Sequence, residues 1–177
     1  MAATATFTDM ACLACPFPLL EDRGTRMAAP IPPPVIRTIV WLGYGGLLPF
    51  VALTIATAVD KADVVFWSQA LFSYGAIILT FVGALHWGFA LAIPGIPDKQ
   101  RDAVLIWSVV PALVAWAALL LDGVATGYVL IAGFATHYWQ DTRLHNDGFL
   151  PPWYLPLRFQ ITVVACVCMG LGTYWGR

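Results

Sequence analysis

The amino-acid sequence predicts an all-α membrane protein, a bundle of five transmembrane helices with its N-terminus on the cytoplasmic or matrix side. Three observations carry that expectation. Of the 177 residues, 60% are hydrophobic and only 11% are charged, where an ordinary soluble domain is roughly 25% charged. Five stretches hold no Asp, Glu, Lys or Arg: Thr38 to Val59, Val64 to Pro97, Ala103 to Leu121, Gly123 to Gln140 and Phe159 to Gly176, of 22, 34, 19, 18 and 18 residues. About 20 mostly apolar residues cross a hydrocarbon core. Finally, seven of the nine basic residues (Arg23, Arg26, Arg37, Lys99, Arg101, Arg143, Arg158) fall on one side of a five-span chain, leaving Lys61 and Arg177 opposite. Basic loops stay on the cytoplasmic side.

The same composition excludes several classes. Mean hydropathy is +0.77, and so few charges cannot cover the outside of a soluble enzyme. A net charge of −1 gives no basic field for a nucleic-acid backbone. The expected partners are therefore the lipid bilayer and other membrane subunits, with no nucleic acid among them.

Residues 1–34 belong to no span and are expected to form a poorly ordered extramembrane leader, with Met27 as an alternative start. The leader lacks the basic front and apolar middle of a secretory signal, and Asp9, Glu21 and Asp22 argue against an Arg-rich, acid-poor presequence. Cys12 and Cys15 form a C-x-x-C there without the second pair that zinc needs. No metal or redox role is assigned to them, nor to Cys166 and Cys168, which read as small apolar fillers.

The transmembrane domain, 35–177, is expected to hold spans at about 36–59, 65–93, 103–121, 123–141 and 156–175. Gly43, Gly45 and Gly46 ahead of Pro49 make the first span deformable. The second ends at Ile93-Pro94-Gly95 and is long enough to tilt or project. Asp122-Gly123 separates the third and fourth as a tight hairpin, with Gly at positive φ. Pro111 should kink the third span.

Polar residues inside the membrane are costly and usually face other helices. One stripe at helical spacing in the second span is Gln69, Ser73, Ala76, Thr80, Gly83 and Trp87; in the fourth it is Thr126, Gly133, His137, Gln140 and Asp141. Both read first as packing faces. His86, placed on the shoulder of its stripe, and His137 approach the same basic end, where Asp141 and Arg143 finish the fourth span and Arg158 opens the fifth. His86, His137, Asp141 and Arg158 are expected at one depth, where each ion finds an opposite charge. Such a cluster suits a structural network, a His–Asp proton relay, or a site for a small hydrophobic ligand (tetrapyrrole, quinone or lipid) held by His86, His137 and Arg158. His145 is expected to be solvated. Of the eight tryptophans, Trp67, Trp139, Trp153 and Trp175 should lie in the interfacial belt. Trp107 could join them, whereas Trp87 and Trp116 should pack deeper.

Four motifs occur in order: Gly43-Tyr44-Gly45-Gly46-Leu47-Leu48-Pro49-Phe50, Leu85-His86-Trp87-Gly88, Asp141-x-Arg143, and Pro152-Trp153-Tyr154-x-x-Leu157-Arg158. In these the chain resembles the transmembrane protein 69-like family, a domain of unknown function found in proteobacteria and mitochondria, over about residues 36–175. The resemblance implies a multi-pass protein of the bacterial or mitochondrial inner membrane and supplies no reaction. It carries over His86, Trp87, Asp141, Arg143, Trp153 and Arg158 as candidate positions, and not His137. A second likeness, to the translocator protein family, is one of five short Trp-rich spans alone.

No nucleophile–base–orienter set, metal motif or phosphate-binding glycine pattern is present. The function expected is thus a non-enzymatic accessory or assembly subunit of a larger respiratory or photosynthetic membrane complex, with Trp87, Asp141, Arg143 and Trp153 as a structural or docking cluster. The alternative is the hydrophobic-ligand binder or carrier. No particular cofactor is indicated.

Overall fold

In the computed structural model, residues 32–176 are described; the leader up to residue 31, with Cys12, Cys15, Arg23, Arg26 and Met27, lies outside them, as does Arg177. Every regular element among the described residues is a helix: α1 (Pro33–Gly45), α2 (Leu48–Val59), α3 (Val64–Ala92), α4 (Asp98–Leu119), α5 (Val124–Asn146) and α6 (Tyr154–Trp175).

The breaks follow local chemistry. Pro49 has no amide hydrogen, so it sits in the first turn of α2, where none is needed. The glycine-rich stretch before it gives way at Gly46-Leu47, and the expected first span becomes two helices in series. Tyr74 from α3 donates its hydroxyl to the Gly46 carbonyl at 2.8 Å, satisfying a group the break frees. The α3–α4 turn holds Pro94-Gly95, with Gly95 at φ 80°, and the α4–α5 hairpin places Gly123 at φ 55°, as a tight glycine turn requires. At the α2–α3 turn, Asp60 accepts hydrogen bonds from the amides of Ala62 and Asp63 and, at 3.0 Å, from the Trp67 indole. The indole and these amides hold its carboxyl below the usual range. Pro111, expected to kink its span, lies inside an uninterrupted α4.

Among the described residues, four segments are long and apolar enough to cross a membrane: Pro33–Val59 (α1 with α2), α3, α4 and α6. The fifth expected span, α5, matches them in length at 23 residues. Its second half carries His137, Gln140, Asp141, Arg143 and His145, which lowers its apolarity.

α3 lies in the middle and packs on α2, α4, α5 and α6; α5 fits between α4 and α6, and α1 rests on α6. The centre is Phe50, Leu71, Leu79, Leu130, Phe134 and Met169, all fully buried. The Phe50 ring meets Tyr74 and Phe134 edge-on at 5.0 and 6.4 Å. Close approach depends on small residues: a Cβ on Gly83 would stand 2.9 Å from Pro111, so α3 and α4 touch nearly backbone to ring. The outside is rich in large apolar side chains, among them Trp41, Leu42, Ile106, Leu113 and Trp116. Such a surface suits lipid and would be untenable in water.

The inner face of α3 differs from the expected stripe. Buried are Ser68, Leu71, Phe72, Gly75, Ala76, Leu79, Val82, Gly83, His86 and Ala90, whereas Gln69, Ser73, Thr80 and Trp87 are exposed. In lipid, close packing rather than polarity selects the inward face, and Gly75, Ala76 and Gly83 let neighbours approach. Trp87 and Trp116, expected to pack deeply, are 53% and 64% exposed.

Candidate functional site

α5 supplies the core of the polar centre. Leu130, Phe134, His137, Asp141 and Leu144 follow one another on its buried face, and a spacing of four puts His137 and Asp141 one turn apart on the same side. α3 brings His86 opposite them, at the centre of its buried face rather than on the shoulder, and α6 brings Arg158 from its second turn. At 1.5 Å per residue, His86, Asp141 and Arg158 lie about 6–9 Å inside their helix ends and His137 about 14 Å. All approach the end formed by the α3–α4 and α5–α6 turns.

The four side chains meet. Arg158 donates from Nε to Asp141 Oδ2 at 2.9 Å. His86 Nε2 faces Asp141 Oδ1 at 3.5 Å, and the His86 and His137 rings stack edge to face with centroids 4.7 Å apart. His86, His137 and Asp141 are 0% exposed and Arg158 4%. Burial to this degree leaves the carboxylate and guanidinium dependent on each other, since neither reaches bulk water.

Two residues that the sequence did not place here complete the site. Trp107 of α4, a candidate for the belt, donates its indole N–H to His137 Nδ1 at 3.3 Å. Tyr154, next to the belt candidate Trp153, is buried, with its ring 5.5 Å from Phe89, which itself stacks on His86 at 5.6 Å. Aromatic side chains near span ends read as belt residues, and only helix packing separates those that turn inward. Ser108 and Pro111, on the inner face of α4, are the signal that could have oriented Trp107.

Three carried-over positions lie apart. Trp87 points away from the bundle, Arg143 is exposed and stacks over Trp139 at 4.1 Å, and Trp153 is half-buried against Tyr154. His145, expected to be solvated, is half-buried, with Nδ1 enclosed.

His86, His137 and Asp141 each offer one donor atom, all within 4.8 Å of one another, a set of two nitrogens and an oxygen that suits a first-row metal. Two features oppose it. Indole nitrogen is only a donor, so His137 Nδ1 must accept; the neutral ring then carries its hydrogen on Nε2, with no lone pair left for a metal. Arg158 already neutralises Asp141, so a dication would leave two uncompensated charges in a medium that penalises them. A groove of about 240 Å³ between α4 and α5 reaches the site only at Trp107, and one of about 300 Å³ between α2 and α6 does not reach it; neither is lined by His86, His137, Asp141 or Arg158.

Residues 35–174 match a family described as a protein of unknown function (DUF3429). Transmembrane protein 69 of Xenopus tropicalis is 39% identical over 135 residues, covering 73% of this chain and 51% of that protein. Transmembrane protein 69 of Mus musculus is 30% identical over 139 residues, covering 74% and 53%. The chain thus spans about half the length of the curated relatives it matches. No solved structure matches it. The matched region contains the whole polar centre and all six described helices but the ends of α1 and α6, and the chain belongs to the transmembrane protein 69-like family, multi-pass membrane proteins of unknown function.

Proposed function

We propose that the protein is a non-enzymatic accessory or assembly subunit that packs against a larger respiratory or photosynthetic complex of the bacterial or mitochondrial inner membrane. The supporting observation is the outer face of α3. Gln69, Ser73, Thr80, Ala84 and Gly88 are all exposed there, and nothing lies within 4 Å of a Cβ built on Gly88. Ile77 and Phe81 share that face, so small and polar residues alternate there with large apolar ones, whereas the outer face of α4 presents the large apolar Ile106, Val109, Leu113 and Trp116. Small and polar residues on a lipid-facing helix gain most when another transmembrane helix covers them. A native gel of gently solubilised source membranes tests the reading. Comigration with a large assembly is expected, and a Thr80→Leu/Gly88→Leu variant should migrate free of it. A wild-type band of monomer size, or a double variant that still comigrates, overturns the reading.

In this proposal α5 crosses the bilayer as the fifth span, its polar side chains shielded by the bundle. The end bearing Arg37, Lys99, Arg101, Arg143 and Arg158 then faces the cytoplasm or matrix. With the native cysteines replaced by serine, a Lys99→Cys protein should react with a membrane-impermeant maleimide only from that side. Labelling from outside would contradict this orientation.

A second reading, a ligand site at the buried centre, is favoured by polar atoms that have no partner: both His86 nitrogens, His137 Nε2 and Asp141 Oδ1. The complete burial of these side chains favours a ligand far smaller than a tetrapyrrole, quinone or lipid.

A further inference from the structure

The hydrogen-bond donors of the polar centre all point one way. Trp107 donates to His137, which fixes the His137 hydrogen on Nε2. Arg158, a donor only, occupies Asp141 Oδ2. Asp141 Oδ1 has no partner but faces His86 Nε2 at 3.5 Å, so a neutral His86 keeps its hydrogen on Nε2 and leaves Nδ1 as an open lone pair. Every other nitrogen of the cluster carries a hydrogen rather than a free lone pair, except His137 Nδ1, which already accepts from Trp107.

We propose that His86 is an intramembrane proton-binding site, with Asp141 as its counter-ion and His137 held by Trp107 as a permanently neutral neighbour. This deepens the second reading above and is independent of docking at α3. Uptake forms one N–H bond at His86 Nδ1 and breaks one O–H bond of a hydronium ion, releasing water; the cluster passes from zero charge to +1. Both N–H groups of the imidazolium then have acceptors: Asp141 Oδ1 for one and, for the other, the carbonyl of Val82, one turn earlier on α3, which lies beside the His86 and His137 rings. The groups that face His86 are Asp141 and His137 from α5 and Arg158 from α6, with Tyr154 of α6 near Asp141 and Arg158. α4 contributes the uncharged Trp107, and α2 has no titratable residue.

Access for the proton comes from the loop end. Asp141 Oδ1, Arg158 Nη2 and the Tyr154 hydroxyl are buried without protein partners, on residues nearer the helix ends than His137. Buried water typically fills such positions, making about three hydrogen bonds to groups of this kind. Beyond His137 the path stops, because the Trp107 indole gives its hydrogen to the ring and accepts none.

Solid-state nitrogen NMR tests the proposal on the full chain in liposomes, with ¹⁵N-labelled histidine and His145→Gln so that two imidazoles remain. Between pH 9 and pH 4, one ring should gain a second N–H and the other should stay neutral with its hydrogen on Nε2. A His86→Gln protein should lose the titrating signal, and Trp107→Phe should release the second ring to both tautomers. Two rings that stay neutral throughout, or a titrating signal that survives His86→Gln, would overturn the proposal. So would zinc ions shifting both rings at one ion per chain, since the site would then be a metal centre.

Discussion

Replacing Asp141 with alanine is expected to destabilise the fold by about 3–5 kcal/mol, the range for removing one partner of a buried ion pair. Arg158 is 4% exposed and donates to Asp141 from Nε at 2.9 Å. With the carboxylate gone, the variant keeps a buried guanidinium with no counter-charge. His86 loses the carboxylate oxygen it faces at 3.5 Å. Unfolding in detergent micelles, followed by circular dichroism against added dodecyl sulfate, measures the loss. A change under about 1 kcal/mol, the worth of a surface pair, would show that the two groups do not depend on each other.

Gly83→Leu is expected to be nearly as damaging, by about 3 kcal/mol, the upper part of the range for overpacking a well-filled core. The added Cβ would lie 2.9 Å from two ring carbons of Pro111 and 3.1 Å from the Ser108 carbonyl oxygen. A proline ring and a backbone carbonyl cannot rotate away as a flexible side chain can, so α3 and α4 must separate. Because the cost is steric, it is the same whether the surroundings are lipid or water. Gly88→Leu on the same helix is the control: it points into open space, gains helix propensity, and should leave the isolated protein as stable as before. Equal losses for both variants would place Gly83 away from α4.

Much of the fold was legible because turns announce themselves. Pro94-Gly95 and Asp122-Gly123 stop helices for backbone reasons that no packing overrides, and both segments turn as expected. The rotation of each helix was harder to read. In water, hydrophobicity marks the inward face, but in lipid both faces of α3 are apolar, and the polar residues Gln69, Ser73 and Thr80 turned out to face outward. The buried cluster was legible at the level of which residues come together, since His86, His137, Asp141 and Arg158 lie at matching distances from one end of the bundle. Which way Trp107 and Tyr154 turn is fixed by contacts between helices far apart in the chain, 30 residues in the case of Trp107 and His137, and no local pattern encodes it. The same limit explains why Trp87 and Arg143 were grouped with the cluster: neighbours in sequence on a helix point to different sides.

The polar centre and the outer face of α3 are separate features that share one helix. His86 faces the bundle interior, while Thr80, Ala84 and Gly88 face out.

The most direct test of the buried polar centre is a double-mutant cycle in micelles, with Asp141→Ala, Arg158→Met and the two combined. Sites that do not interact add within about 0.5 kcal/mol. If Asp141 and Arg158 neutralise each other inside the bundle, each single variant loses stability and the double variant recovers most of it, because no charge is left unpaired. Losses that simply add in the double variant would mean that the two charges do not meet, and the centre built around them would not exist.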